Sequence, residues 1–337
     1  MEDYPLKPLI KWPGGKGRLI KELVSFIPRY ERYNEPFLGG GALFFSEEPP
    51  FSSINDLSSE LVGFYECVQR GDHAFLSSCM ALAGLFTFLG KAADGKPEYE
   101  SHSLAVEAIG SILPEPSVKD VLARFFDERE LRSRIDSCIK TATRRSTAAR
   151  AAFYYTARDE YNSLMKAGDG GPYASALFFI LRELCFGSMF RYNSSGAFNI
   201  PYGGFSYDRK NLLLKVESLS KACRQPFYSN SRISNHDFRC FFESEPPSQG
   251  DFIFLDPPYD SSFSDYSGNS FGKADHLDLR DLLASTKASF ILAVGRTDFI
   301  EEAYDYNVFN KRTLPSSYSY SMLGRNDRKV DYLIITN

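Results

Sequence analysis

The sequence predicts an α/β protein whose open sheet is assembled from both flanks of the chain, with a mostly helical insertion between them. Three observations carry this. The apolar run Phe252-Ile253-Phe254-Leu255 stops at Asp256-Pro257-Pro258-Tyr259 and reads as a buried strand, ended by prolines that fix φ and lack the N–H to continue a ladder. Tyr33-Asn34-Glu35-Pro36-Phe37 leads into Leu38-Gly39-Gly40-Gly41 and then Ala42-Leu43-Phe44-Phe45, in the order strand, glycine loop, helix. From about Cys67 to Pro226 the chain turns to long stretches rich in Ala, Leu, Arg and Phe, punctuated by Pro97, Pro114 and Pro116, with no run of alternating strands.

Taken in order, the glycine loop lets the backbone approach a ligand closely, and the helix after it favours a negative group at its N-terminus. Phe51 to Asn55 reads as the next strand and ends at Asp56. An acidic residue about 20 positions beyond a glycine loop is where nucleotide-binding α/β folds hold ribose hydroxyls. Within the insertion, Phe178 to Leu184 suggests a packed helix, followed by a polar and aromatic loop from Phe186 to Gly204 whose apolar residues fit no helical period. Long irregular connections in compact domains are usually functional or disordered. Strands return at Asp251 to Leu255, Phe290 to Val294, Tyr306 to Arg312 and Val330 to Thr336, the last two forming an antiparallel hairpin that closes the sheet.

At 337 residues the chain exceeds the usual size of one core, so a large domain with an insertion, or two domains, is expected. Hydrophobic content of 43% with 24% charged residues belongs to a folded protein. No stretch approaches about 18 uninterrupted apolar residues, and Met1-Glu2-Asp3-Tyr4 does not open a signal peptide, so a cytoplasmic protein without membrane contact is expected. Cys67, Cys79, Cys138, Cys185, Cys223 and Cys240 are far apart and form no Cys-x-x-Cys pair, which argues against a disulfide framework or a metal site. The net charge of −4 is unhelpful for binding phosphates, but its distribution is uneven. Arg132, Arg134, Lys140, Arg144, Arg145 and Arg150 face only Asp136 in that run, and Arg325, Arg328 and Lys329 form a second cluster. Such local faces permit DNA binding, although the 132–150 run alone reads equally as a solvated helix face.

In open α/β sheets ligands bind at the C-terminal edge of the strands, where Asp256 to Tyr259 would sit. The Asp256 carboxylate and the Pro257 carbonyl can both accept hydrogen bonds from an exocyclic amine, and Tyr259 can stack on the ring that bears it. Asp-Pro-Pro alone is also compatible with a plain strand-ending turn.

The ordered set Lys11-Trp12-Pro13-Gly14-Gly15-Lys16, Glu35-Pro36-Phe37-Leu38-Gly39-Gly40-Gly41, Asp56 and Asp256-Pro257-Pro258-Tyr259 resembles the Dam-type (D12 class, α-group) DNA adenine-N6 methyltransferases. The resemblance covers residues 7–66 and 152–337 and leaves 84–147 unaligned. Arg191-Tyr192-Asn193 with Gly196, Phe198-Asn199, Pro201 and Gly203 is similar to the family's DNA-contacting loop, and Gly324 to Asp331 to its basic C-terminal segment. It implies a Rossmann-like class I methyltransferase sheet with a C-terminal antiparallel hairpin. Residues 1–66 and 226–337 would form the catalytic domain, which binds S-adenosyl-L-methionine and releases S-adenosyl-L-homocysteine; residues 67–225 would form an inserted helical target-recognition domain.

By the same resemblance Trp12, Lys16, Phe37, Gly39, Gly41, Asp56, Ser234, Asn235, Asp237 and Asp256 would line the cofactor site. Lys16 would offer charge to the methionine carboxylate, Asp56 would hold the ribose, and Asp237 would accept the cofactor's adenine amine. Lys11, Phe186, Met189, Arg191, Asn193 and Arg325 would contact double-stranded DNA, Arg191 through its bidentate fork to guanine. Asp256, Pro257, Pro258 and Tyr259 would be catalytic, acting on N6 of an adenine flipped from the duplex, with no metal and no covalent intermediate. A monomer is implied, with a cognate restriction endonuclease, where one exists, acting independently. At Gly187 the sequence departs from the family's aromatic-Gly-aromatic-Asn segment, so GATC is not assumed as the target. The alternatives are a cytosine-N4 methyltransferase, which more often carries Ser before Pro-Pro, and a non-catalytic DNA-binding protein of the same fold. A P-loop is excluded at Gly14-Gly15-Lys16, where the required spacing is missing.

Overall fold

A computed structural model describes residues 7–12, 17, 19–95, 128–140, 142, 144–189, 191–258, 271–305, 307–314 and 331–337, with the backbone alone for 91–95 and 128–132. The chain divides into two compact units, Met1–Gly15 with Ser59–Ser229, and Lys16–Ser58 with Asn230–Asn337.

In chain order, a single turn α1 (Ile20–Leu23) precedes β1 (Tyr33–Glu35), α2 (Ala42–Glu47) and β2 (Ser52–Asn55). The helical unit then supplies α3 (Ser59–Gln69), α4 (His73–Gly95), α5 (Glu128–Ile139), α6 (Arg145–Ala167), α7 (Pro172–Leu184), α8 (Leu212–Ala222) and the turn α9 (Pro226–Ser229). The chain returns to the sheet through β3 (Arg232–Ser234), α10 (Phe238–Ser244), β4 (Phe252–Leu255), α11 (Lys273–Ser285), β5 (Ser289–Gly295), α12 (Asp298–Ala303), β6 (Asn310–Leu314) and β7 (Tyr332–Thr336).

The seven strands form one sheet in the order β3-β2-β1-β4-β5-β7-β6. Strands β3 to β5 pair in parallel, and β7 runs antiparallel to both β5 and β6. β6 begins at Asn310 rather than at Tyr306, because Asp305 first closes a turn in which its carboxylate accepts the Asn307 N–H and its carbonyl accepts that of Phe309.

Period-2 alternation puts Ile253 and Leu255 of β4, Phe290, Leu292 and Val294 of β5, and Leu333 and Ile335 of β7 on one face, in a core with Phe238, Phe241, Phe242, Leu279 and Leu283 from α10 and α11. β1 and β2 are buried at every position and yet are mostly polar. Side-chain hydrogen bonds serve several of them: Tyr33 donates to Glu35 at 2.7 Å, Ser52 to Ser231 at 2.7 Å, and Asn55 to Pro36 at 3.0 Å.

In the helical unit, Pro172 opens α7 at a position that needs no N–H, and Gly168 closes α6 with φ of 75°. α4 carries an 18-residue window, His73–Gly90, long and apolar enough to cross a membrane, but it packs among α6, α7 and α8 and 56% of that window is buried. Phe64 stacks on Phe179 at 5.8 Å, joining α3 to α7.

Candidate active site and DNA-contacting arm

The sheet's order dictates where its loops converge. β1 lies between β2 and β4, so the chain leaves the middle of the sheet in both directions, and this switch point opens a crevice beyond the strand C-termini. The Pro36–Gly41 loop leaves β1 at one side of it, and Asp256-Pro257-Pro258 leaves β4 at the other. The last residue pair between β4 and β5 is Leu255 with Leu292, after which the prolines end the ladder. Asp256 is half-buried, Pro257 buried and Pro258 exposed; Tyr259 lies outside the described residues.

Across the β1 loop the backbone turns left-handed at Gly39 (φ 49°) and Gly41 (φ 63°). A Cβ on Gly41 would stand 2.9 Å from the Phe45 ring, so both conformation and space require glycine there. The Gly39 N–H donates to Asp56 Oδ2 at 2.8 Å, while Asp56 Oδ1 accepts the Ser58 N–H at 2.9 Å. Asp56 therefore braces the glycine loop. α2 runs only six residues and its N-cap N–H is already bonded to Leu38 O at 2.7 Å, so the expected anion site at this N-terminus is weak beside the carboxylates around it.

Asn55, just before Asp56, was not anticipated from the sequence. It is buried, donates through Nδ2 to the carbonyls of Pro36 (3.0 Å) and His236 (2.9 Å), and accepts through Oδ1 from the His236 N–H and the Ser234 hydroxyl, each at 2.9 Å. One side chain thereby ties the ends of β1, β2 and β3 together. Asn235 Nδ2 donates to the carbonyls of Asp56 (2.8 Å) and Leu57 (3.0 Å), so Ser234 and Asn235 both serve this scaffold. Asp237 caps α10 by accepting the Arg239 N–H at 2.9 Å and pairs with the Arg239 guanidinium at 3.2 Å. Asp275 and Asp278 hold the same guanidinium at 2.7 and 2.6 Å. Phe37 is half-buried and packs on Phe238 and Phe271, each ring centroid 5.6 Å away.

The crevice is electronegative. Burial, aided by the charges of Asp256 and Asp56 and opposed by the Tyr33 hydrogen bond, holds the Glu35 carboxyl well above the ordinary carboxylate range. Three carboxyl groups thus influence one another around the end of β1. Glu35 is a second residue whose role the sequence reading did not assign.

In the helical unit, Lys11 is exposed and Trp12 is half-buried. Both sit against Arg182, which is fully buried near the end of α7. Arg182 donates to the Lys11 carbonyl from Nε at 3.1 Å and from Nη2 at 2.5 Å, and its guanidinium lies 4.6 Å from the centre of the Trp12 ring. Lys210 donates to the Glu183 carbonyl and lies 3.9 Å over the Tyr207 ring. Burial, with the neighbouring Lys11 charge, brings the Lys210 ammonium down to about 7 against the opposing pull of Glu183. Lys16 and Arg325 lie outside the described residues.

The loop expected from Phe186 to Gly204 is a short antiparallel arm, closed at its base by Cys185 with Tyr202 and again by Tyr192 with Phe198. Its tip is a tight turn in which Asn193 Oδ1 accepts from the N–H groups of Ser195 (3.0 Å) and Ala197 (2.9 Å). Arg191 and Phe186 are exposed along the arm and Met189 is half-exposed. Gly187 (φ 62°) and Ser188 (φ 54°) are both left-handed. Tyr192 anchors the arm by donating to Glu60 Oε1 at 2.9 Å, with the Tyr161 hydroxyl 3.3 Å away.

Part of the basic 132–150 run serves the fold instead. Arg134 pairs with Asp159 at 2.7 Å, and Arg150 lies over the Phe86 ring at 5.2 Å and 3.9 Å from Asp208, in space that only a glycine at position 90 leaves open. Lys140, Arg144 and Arg145 stay exposed.

Comparison with known proteins shows the family of the chain. A family model described as D12 class N6 adenine-specific DNA methyltransferase matches residues 12–99 and 120–316, which takes in most of the 84–147 stretch that motif matching left unaligned. The chain is 29% identical over 306 residues to a type II methyltransferase, M.CviBI, of Paramecium bursaria Chlorella virus NC1A, covering 89% of this chain and 87% of that one. It is 25% identical over 326 residues to the DNA N-6-adenine-methyltransferase of Escherichia phage P1, covering 94% of this chain and 34% of the phage protein. Identity to the DNA adenine methylase of Haemophilus influenzae is 22% over 325 residues, covering 93% of this chain and 88% of that one. The chain belongs to the D12 class of N6 adenine-specific DNA methyltransferases.

Proposed function

We propose that this DNA adenine methyltransferase takes its methyl group from S-adenosylmethionine, releases S-adenosylhomocysteine, and acts on an adenine extruded from double-stranded DNA. The observation that carries this reading is the placing of Asp256 and Pro257 on the β4 side of the switch point, opposite the glycine loop of β1.

The crevice suits such a cofactor chemically. Its carboxylates favour a sulfonium and an ammonium group, Asp56 retains lone pairs for ribose hydroxyls, and the left-handed Gly39 and Gly41 let a ligand approach the backbone. Phe37 supplies an aromatic wall, and Asp237 Oδ2, which carries the weaker of the two Arg239 contacts at 3.4 Å, is the acceptor for an adenine amine. Ser234 and Asn235 hold the loop that presents it. By the family resemblance Trp12 and Lys16 are assigned to the cofactor as well. When bound, the cofactor supplies an electrophilic methyl on sulfur.

Extrusion of the base costs a few kcal/mol, which stacking on Tyr259 partly offsets. Asp256 Oδ and the Pro257 carbonyl would accept hydrogen bonds from the two N6–H groups and so turn the nitrogen lone pair toward the methyl group that the cofactor would supply. Pro258 keeps the loop rigid. Asp256 would stabilise the positive charge that develops on N6 as it takes the methyl group from sulfur, and the excess N6 proton would then pass to solvent water.

The helical unit serves as the target-recognition domain, with Arg191 reading guanine from the arm and Lys11, Phe186, Met189 and Asn193 beside it. Arg325 adds a contact from the segment that joins β6 to β7 as a hairpin. The type II methyltransferases among its relatives support a place in restriction and modification, with any endonuclease a separate protein. The enzyme works as a cytoplasmic monomer.

Incubation with tritiated S-adenosylmethionine and unmethylated genomic DNA tests the reading. The wild-type chain should label N6-methyladenine. Asp256→Ala should lose about 10²- to 10³-fold in turnover, on the scale of removing one preorganised electrostatic contact. Its binding of DNA and cofactor should persist. Absence of label with wild type, or substantial turnover by the Ala variant, refutes it.

A further inference from the structure

The geometry points to Arg182 as a positioning residue that fixes Lys11 and Trp12 for engagement of DNA and cofactor, a role that rests on the function proposed above. A fully buried arginine inside the apolar helix Phe178-Phe179-Ile180-Leu181 is expensive, and the tie it makes explains its presence. Two of its donors, Nε and Nη2, go to one acceptor, the Lys11 carbonyl, and its guanidinium carbon lies 4.6 Å from the centre of the Trp12 ring. A single side chain thus fixes two consecutive residues by a hydrogen-bonded fork and a cation–π contact.

Its electrostatic neighbours include the hydroxyls of Tyr192 and Tyr161. Tyr192 adjoins Arg191 and is anchored by Glu60 at the base of the arm. Arg182 therefore stands where the Lys11-Trp12 segment meets the root of the arm that carries Arg191, within one unit of the chain. Lysine at this position would keep the charge but could not form the fork over the ring. Burial also brings the guanidinium down to about 10, consistent with a cation held by backbone and ring more than by carboxylates.

Trp12 is the chain's sole tryptophan, so its fluorescence reports on the contact directly. In the full-length protein, Arg182→Met should raise acrylamide quenching of Trp12 severalfold, and Arg182→Lys should fall between Met and wild type. The KM values for DNA and for S-adenosylmethionine should rise about 10-fold in the Met variant, on the scale of one lost cation–π contact plus a charged hydrogen bond, while kcat changes less than about 3-fold. If the Met variant folds poorly, the cycle of Arg182→Lys with Trp12→Phe decides: the double variant should raise KM by less than the product of the singles. Unchanged quenching with unchanged KM overturns the assignment. So does a loss confined to kcat, or strictly multiplicative effects in the cycle. Failure of the wild-type chain to methylate DNA would remove the proposed function but would leave the quenching result standing, so the two failures are separable.

Discussion

Replacing Asn55 by alanine tests whether the crevice is held by a polar knot at the strand ends. The side chain makes four hydrogen bonds at 2.9 to 3.0 Å that join Pro36, Ser234 and His236 to the end of β2. The bond to Pro36 is buried and leaves an unpartnered carbonyl when lost, which costs about 1–2 kcal/mol; the other three are half-buried and contribute about 0.5–1 kcal/mol each. The sum is about 2.5–5 kcal/mol of unfolding free energy, read by urea denaturation of wild type and Asn55→Ala. Because the same bonds set the positions of the Asp56 and Asp237 loops, calorimetry should also show S-adenosylmethionine binding weakened by about 10-fold or more. A loss below about 1 kcal/mol together with unchanged cofactor affinity would refute the argument, since it would mean that packing alone holds these ends.

Glu35→Gln should alter the pH dependence of stability. A carboxyl whose folded pKa is raised keeps its proton after the unfolded chain has released it, so wild-type stability falls as pH rises from the unfolded value of about 4.3 toward the raised folded one. The advantage of the Glu35→Gln variant over wild type should therefore grow as pH rises above about 4.3, and a constant difference in urea midpoints would count against it. Gly41→Ala, with φ of 63° and a Cβ 2.9 Å from Phe45, should lose about 1–3 kcal/mol in the same measurement and should lower methylation rates; a neutral result would mean that the loop can reshape freely. Arg191→Ala should reduce discrimination at one base of the target by about 10- to 100-fold, seen by single-molecule sequencing of methylated DNA, and an unaltered motif would remove Arg191 from base reading.

How far this molecule is readable from its sequence follows from where its information is stored. β4 and β5 are apolar runs bounded by turn residues, and they stand where the pattern places them. β1 and β2, with Tyr33-Asn34-Glu35 and Ser52-Ser53-Ile54-Asn55, carry no apolar signature and are legible only through the glycine loop and Asp56 that follow. β3 is three residues at the sheet edge, too short and too exposed to show a period. Asn55 and Arg182 act through partners distant in sequence, which no local spacing reveals, although an Arg-Glu pair interrupting Phe178 to Leu184 was a visible anomaly. The 132–150 run shows the opposite failure. Its charge is plain in the sequence, but Arg134 and Arg150 pair with acids outside the run at Asp159 and Asp208.

The polar character of β1 and β2 has a consequence for how the chain is made. Asn55 and its partner Ser234 lie 179 positions apart, because the Ser59–Ser229 part of the helical unit is synthesised between them. At about 5–20 residues per second, the first two strands leave the ribosome about 10–40 s before β3 and β4 exist to pair with them. Long, apolar strands waiting with open edges for that time would recruit other nascent chains. Three and four residues rich in Asn, Glu and Ser give little such purchase, and the Phe252-Ile253-Phe254-Leu255 run emerges when β1, its neighbour on one side, is already present. Hydrogen-bonded polar strands thus suit a sheet that must be started long before it can be finished.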